Sequence, residues 1–550
     1  MAENGVGANK KPRLEDGLHH AHTICLVLDF GSQYTQLIAR RVRENSVMSI
    51  MLPGDVTLER IQEVDPKAIV LSGGPNSVLI EGAPTLPSGF FEWAESKRIP
   101  VLGICYGMQL MVHTLGGKVH TSDLGGEYGQ MRIRTTQGSQ LYSYEPDPSQ
   151  LVWMSHGDSA EQLPPDFSVV ATSEQGVSVG IESQKRRLYG LQYHPEVMHS
   201  ERGNQTLQHF LNTIANLHAD WKMENILEEE LEKIRRVVGP TAHAICALSG
   251  GVDSAVAAIL VHKVLGDRLH CVFVDNGLLR LHEAEQVMDT FNNHLHLPVT
   301  KVDDSERVLA ALKGLSDPEK KRKAIGAAFI DVFNNFAKGL EEKGGIKPSF
   351  LVQGTLYPDV IESCPPPGSK QKHSHTIKSH HNVGGLPKDL QFKLIEPLRE
   401  LFKDEVRALG RLPAMNVPEP FLQRHPFPGP GLGVRVLGDV TQPDGLAVLR
   451  QVDAIFIQAL KDGGLYDKIW QAFAVFLPVR SVGVQGDQRT HSYVVALRAV
   501  ISSDGMTADW YPFQPDFLRA VSTRICNNVR LVNRVVYDVT SKPPGTIEWE

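Results

Sequence analysis

Short apolar runs that stop at a glycine-containing loop and give way to a helical stretch recur along this chain, and nothing else constrains its fold as much. Early in the chain they are ICLVLDF, AIVLSGG and VLGICYG; later they are HAICALSGG, HCVFVDNG and SFLVQGT. A continuous rather than alternating apolar run suits a strand covered on both faces, as in parallel sheets flanked by helices. The series occurs twice, separated by a charged helical segment from Trp221 to Val238. The expected class is therefore α/β, with two tandem open parallel-sheet domains. The stretch His425 to Gly433 (HPFPGPGLG) excludes regular helix and central strand, because Pro and Gly interrupt both. Beyond it, alternating runs (SVGVQGDQ, HSYVVALRAV, RVVYDVT) and a helix near Leu446–Leu460 predict a small α+β module. The expected boundaries are a disordered N-terminal extension over 1–22, α/β domains over 23–217 and 221–424, and the module over 425–550. A chain of 550 residues suits three or four domains at roughly 100–200 residues each.

Charge and composition exclude several classes. Lys+Arg 56 against Asp+Glu 63 leaves a net charge of -7, with no basic footprint for nucleic acid. No apolar run reaches the ~18 residues of a membrane span, and Met1 to His22 lacks the apolar core of a secretory signal. The six cysteines are scattered with no C-x-x-C pair, and Cys25, Cys246 and Cys271 lie inside strand-like runs, as small buried hydrophobes do. A reducing, cytoplasmic setting is expected. Lys10-Lys11-Pro12-Arg13 fits a frayed basic tail better than a nuclear signal.

Gly103-Ile104-Cys105-Tyr106-Gly107 is a G-x-C-x-G at a strand-to-helix junction. Flanking glycines permit a sharp turn that lifts a nucleophile from the sheet, and a helix N-terminus behind Cys105 favours a thiolate and offers N–H groups to an oxyanion. A buried structural cysteine is the competing reading of this motif alone. Two further segments weigh against it. Ser72-Gly73-Gly74-Pro75 ends an earlier strand and can aim a backbone N–H at the same oxyanion, while His194-Pro195-Glu196 sets an imidazole two residues from a carboxylate. If that segment is extended, both side chains share a side, so that Glu196 orients His194 and His194 serves Cys105.

Ser249-Gly250-Gly251-Val252-Asp253-Ser254 follows the strand HAICAL and opens a helix, making a cradle of N–H and hydroxyl donors for phosphate. It lacks the G-x-x-x-x-G-K-[ST] of a Walker loop, which presents ATP for attack at the γ-phosphate. A cradle for the β,γ pair suits departure of whole pyrophosphate. A tight Ser/Gly turn capping a core helix is the plainer alternative. Asp253 is a possible Mg²⁺ ligand by its chemistry. The run Lys372 to Asn382 (KHSHTIKSHHN) holds histidines but no cysteine or carboxylate to complete a zinc set, so no structural metal is expected. A mobile lid whose Lys378 reaches phosphate is one reading of it, with Lys403 a second candidate for that charge; a solvated loop face is the alternative for both.

Over its first domain the chain resembles the triad-type glutamine amidotransferases, through DFGSQYTQLIARRVRE, SGGPNSV, GICYGMQL, WMSHGD and LQYHPEV. The resemblance implies a Cys105–His194–Glu196 triad that releases ammonia from glutamine. It also implies oxyanion N–H groups from Gly74 and Tyr106, and glutamine contacts from Gln109 and Asp158. SGGVDS resembles the PP-loop of the ATP pyrophosphatases, which adenylylate an oxygen and then displace AMP; Asp275 in FVDNG and Gly354 in QGT continue that match at later strand ends. ATP with Mg²⁺ is the implied cofactor set. HPFPGPGLGVR, GVQGDQR and SKPPGTIEWE resemble the GMP synthase family, in which the two preceding domains occur in this order. That resemblance implies XMP contacts from Arg322, Asp487, Lys542 and Glu548, with Arg489 a weaker neighbour, and a homodimer formed through the terminal module. The expected partners are thus XMP, ATP, glutamine and a second copy of the chain, with no nucleic acid and no membrane. Another glutamine-dependent PP-loop ligase, and a non-catalytic nucleotide sensor, are the alternatives.

Overall fold

A computed structural model describes residues 22–121, 126–144, 147–362, 392–502 and 507–550. The chain divides into two compact units. The first runs to Glu229 and takes in 360–362; the second holds 230–359 and the described residues from 392 onward. The division falls inside one continuous helix, Met223–Val238. The expected N-terminal extension lies outside the described residues except for His22, and there the boundary needs correction. The His22 ring is buried, with Nδ1 3.0 Å from Asp220 Oδ1 and Nε2 3.1 Å from Glu229 Oε2, so this residue belongs to the fold.

The first unit is built on β1 (Ile24–Asp29), β2 (Met48–Pro53), β3 (Ala68–Leu71), β4 (Val101–Ile104), β5 (Lys118–Thr121), β6 (Glu127–Thr135), β7 (Ser149–His156), β8 (Asp158–Gln162), β9 (Ser168–Ser173), β10 (Ser178–Ser183) and β11 (Leu188–Leu191). Nine of them form one sheet in the order β2-β1-β3-β4-β11-β10-β9-β6-β7, and β5 pairs with β8. The half from β2 to β11 is parallel, and every residue of β3 and β4 is buried, as continuous apolar runs require. The other half is antiparallel and extends the expected parallel core.

The second unit carries a parallel sheet of β12 (Ala244–Leu248), β13 (Leu269–Asp275), β14 (Val299–Asp303), β15 (Phe350–Val352) and β16 (Lys393–Ile395), ordered β14-β13-β12-β15-β16. The helix Val252–Leu265 behind β12 is apolar nearly all round and correspondingly buried. A further sheet joins β17 (Gln471–Gln485), β18 (Gln488–Ile501), β19 (Asp509–Trp510) and β20 (Val532–Tyr537). Alternation gives β17 two faces. Ala472, Ala474 and Phe476 pack with Val448, Val452 and Phe456 of the helix Gly445–Asp462, while Phe473 and Val475 meet Ile547 of the terminal segment. Among the described residues no helix is long and apolar enough to cross a membrane.

Candidate active sites

In the first unit β4 ends at Ile104, and Cys105 forms the turn into the helix Tyr106–Thr114. Its φ of 49° lies in the left-handed region, which a non-glycine residue occupies only under local constraint. The flanking glycines let the helix close on the sheet. A Cβ on Gly103 would stand 2.6 Å from the Gly107 carbonyl carbon, and one on Gly107 only 2.4 Å from the Leu71 carbonyl oxygen. No larger residue fits either place.

His194 and Glu196 are both buried, and the imidazole Nδ1 lies 2.7 Å from Glu196 Oε1. The segment is a turn, which corrects the expected extended pair: Ser200 closes it by donating from N to Val197 O and from Oγ to His194 O, at 3.1 and 2.6 Å. The carboxylate fixes the proton on Nδ1 and leaves Nε2 for the thiol. Burial opposes charging this imidazole, but Glu196 and the neighbouring Cys105 outweigh it and hold His194 well above the usual histidine range. Gly73 explains part of the closeness, since a Cβ there would sit 3.1 Å from His194 Cε1. The thiol, imidazole and carboxylate are thus brought together, in the order that a nucleophile, a base and its orienting carboxylate require.

Gly74 packs tightly, a Cβ on it falling 2.9 Å from Phe30 O and 3.2 Å from the Tyr106 ring. Tyr106 begins its helix, where N–H groups have no intrahelical acceptor. Gln109 is buried and donates from Nε2 to Asp158 O at 2.8 Å, and Asp158 Oδ1 accepts from Thr121 Oγ1 at 2.7 Å. Two neighbours escaped the sequence reading. Gln192 Nε2 lies 3.7 Å from Cys105 Sγ, and Tyr34 stands edge-on to His194 with ring centroids 5.3 Å apart. Gln192 sits inside the quoted LQYHPEV, but a glutamine carries no signal until its sulfur partner is known.

In the second unit Ser249–Ser254 spans the junction of β12 and its helix. Gly250 has φ 75°, and its backbone carbonyl accepts from Arg424 at 2.8 Å. Ser249 Oγ accepts from Gly251 N at 3.3 Å and lies 3.1 Å from Ser254 Oγ, so the hydroxyls brace the loop. Val252 is the first residue of the helix. Asp275 closes β13, accepting from Gly277 N at 3.1 Å and pairing with Lys301 at 3.2 Å. Gly354 follows β15, where a Cβ would lie 3.1 Å from Ser254 N. The loop, Asp275 and Gly354 therefore meet at the carboxyl ends of three adjacent strands, where open α/β sheets bind nucleotides. Lys403 Nζ is 3.9 Å from Asp253 Oδ2, whereas Asp253 Oδ1 is buried without a hydrogen-bond partner. Lys378 and the histidine-rich run lie outside the described residues. Arg424, missed by the sequence reading, spans the Gly250 carbonyl and Glu283 Oε1, the latter at 2.5 Å.

The terminal segment is docked. Glu548 accepts from Arg435 Nη2 at 2.7 Å and from Gln471 at 2.9 Å; Glu550 pairs with the buried Lys321; Trp549 donates to Asp538 at 2.9 Å. Lys542 is tied to Ala508 by two backbone bonds of 2.7 and 3.1 Å. Arg322 stands beside Lys321 on the helix Pro318–Gly344 and pairs with Glu319, so its turn is brought to the tail. Asp487 occupies the exposed β17–β18 turn with φ 61°, and makes no hydrogen bond to Arg322, Lys542 or Glu548.

The first unit defines the class, that of the glutamine amidotransferases. The class-I glutamine amidotransferase family model matches residues 26–214, and that for the GMP synthase C terminal domain matches residues 458–549. A GMP synthase [glutamine-hydrolyzing] of Bradyrhizobium diazoefficiens is 53% identical over 96% of this chain and 94% of its own. Those of Pelodictyon phaeoclathratiforme and Zymomonas mobilis are 55% and 52% identical over 96% of this chain and over 99% and 97% of their own. The chain belongs to the glutamine-hydrolysing GMP synthase family.

Proposed function

We infer that this chain is a carbon–nitrogen ligase that makes GMP from XMP with glutamine as nitrogen donor. Identity above one half to glutamine-hydrolysing GMP synthases over nearly the whole length carries this reading. The geometry supports the following division of roles. Cys105 passes its thiol proton to His194 Nε2 and attacks the glutamine carboxamide carbon. His194 returns the proton to the departing nitrogen, which leaves as ammonia. Water, deprotonated by His194, then breaks the thioester and frees glutamate. N–H groups of Gly74 and Tyr106 hold the oxyanion, and Gln109 and Asp158 line the glutamine.

In the second unit we propose that Ser249, Gly250, Gly251, Val252, Asp253 and Ser254 cradle the ATP phosphates, with Asp275 and Gly354 beside the adenosine and Lys378 reaching phosphate. The XMP O2 attacks the α-phosphorus, pyrophosphate leaves, and ammonia displaces AMP at C2. XMP would meet Arg322, Asp487, Lys542 and Glu548. The orphaned, buried Asp253 Oδ1 suits a hard oxygen-seeking cation, so Asp253 would hold the Mg²⁺ that neutralises polyphosphate charge. The modules 221–424, whose residues up to Glu229 and from Val360 to Glu362 fall in the first unit, and 425–550 would act as separate functional parts. A homodimer through the terminal module is supported by Val479, Val482 and Val484, which β17 leaves exposed. A cytoplasmic location fits these substrates.

The test is GMP formation from XMP with glutamine or with ammonium, AMP and ADP both being quantified. AMP is expected, and ADP would sink the pyrophosphatase reading. Cys105→Ala is expected to lose glutamine-dependent synthesis and to keep synthesis from ammonium.

A further inference from the structure

The neighbourhood of the Cys105 sulfur contains an amide whose orientation is fixed by a chain of partners. Gln109 Nε2 lies 2.8 Å from the backbone carbonyl oxygen of Asp158, a contact only its nitrogen end can make. The same nitrogen reaches Gln192 Oε1 at 3.4 Å, which places the acceptor end of Gln192 toward Gln109. The donor end therefore faces away, and Gln192 Nε2 lies 3.7 Å from Cys105 Sγ. Both glutamines are buried, so neither amide exchanges these partners freely with water. The Ser155 carbonyl, also 3.7 Å from Sγ, accepts from the thiol but offers nothing to a thiolate.

We propose that Gln192 is a further catalytic residue of the glutaminase site, donating a hydrogen bond to the Cys105 sulfur as it becomes anionic, and that Gln109 acts as a positioning residue that keeps the Gln192 amide from turning over. A flipped Gln192 would aim its carbonyl oxygen at the developing thiolate and repel it. The hydrogen bond strengthens as the proton moves to His194, because bonds to charged acceptors are stronger than those to neutral ones. It weakens again when sulfur becomes a thioester, so it favours formation of the nucleophile without trapping substrate. This rests on Cys105 being the glutamine-attacking nucleophile.

The experiment compares the full-length wild type with Gln192→Met and Gln109→Met. Methionine keeps roughly the volume of glutamine and removes the donor. The readouts are the rate of Cys105 alkylation by iodoacetamide at neutral pH, followed by peptide mass spectrometry, and kcat and KM for glutamine. For Gln192→Met, alkylation and kcat are each expected to fall about tenfold or more, with KM within about twofold. Gln109→Met is expected to slow alkylation about threefold or more although no glutamine is present. Wild-type alkylation rates in Gln192→Met would overturn the sulfur contact. A Gln109→Met variant that changes only KM would overturn the positioning role and leave Gln109 a plain substrate contact. Should Gln192→Met lose its cooperative unfolding transition, Gln109→Met decides alone, since it leaves Gln192 in place. A wild type that consumes glutamine undiminished after full Cys105 alkylation would instead refute the nucleophile reading beneath both.

Discussion

Two buried histidines in this chain are driven in opposite directions, and each sets a stability term with its own pH window. His425 stacks on Tyr466 with centroids 3.8 Å apart, its Nε2 2.9 Å from Tyr466 O and its Nδ1 accepting from Ala472 N at 3.2 Å. Burial pushes it down to about 4, the Tyr466 carbonyl offsetting only part. The unfolded chain, titrating near ~6.5, then binds the extra proton first. The stabilisation is present above ~6.5 and is lost as pH falls toward 4, by up to about 3 kcal/mol. Unfolding free energies of the wild type should thus fall more steeply over that interval than those of His425→Gln. His194 behaves oppositely. Its raised value gives stability that is full below ~6.5 and vanishes as pH climbs through the raised value, so the penalty of Glu196→Gln should shrink at alkaline pH. Gly250 is a third position where one atom matters. At φ 75° an added Cβ would crowd Val287 Cγ2 at 3.0 Å, so Gly250→Ala should cost about 1–2 kcal/mol and raise KM for ATP; an unchanged KM would show that the loop tolerates distortion.

The docked terminal segment is the element whose loss should be felt most. Deleting Glu548 to Glu550 strands Arg435 and Lys321, two fully buried cations, and removing one partner from such pairs costs about 3–5 kcal/mol. The deletion should lower the melting temperature and abolish GMP formation with ammonium as well as with glutamine; survival of the ammonium reaction would sink the XMP role of the tail. Other elements show what the sequence could and could not say. The helix Gly445–Asp462 was legible as Leu446–Leu460 because its apolar positions repeat every three or four residues. Strands β3 and β4 were legible because continuous apolar runs ended at glycines. The antiparallel half of the first sheet was not, since β6 alternates weakly and its pairing with β9 is a long-range choice no local pattern encodes. The nearness of Cys105, His194 and Glu196 was legible from three residue types, but the turn that joins His194 to Glu196 depends on Ser200, four residues beyond the motif. Arg424 at the Ser249–Ser254 loop stayed hidden because an arginine before a Pro-rich stretch looks like any solvated charge.

At the scale of the whole molecule, one chain makes a nucleophile that water would protonate and an electrophile that water would hydrolyse. Glutaminase turnover is therefore expected to stay weak until XMP and ATP are loaded, which glutamate release with and without both nucleotides measures; equal rates would exclude coupling. Sedimentation of the full chain against a variant carrying charge at Val482 and Val484 tests the dimer, a monomeric wild type being the contrary result. The join between the units has its own consequence. The division at Glu229 and Glu230 falls within the helix Met223–Val238, so it breaks hydrogen-bonded backbone and not a loop. Severing the gene there would leave each fragment with part of that helix and with apolar residues now buried: Ile226 and Leu227 on one part, Leu231, Ile234 and Val238 on the other. Proteases that prefer loose loops should spare this spot, and anyone expressing the halves apart would do better to cut ahead of Met223.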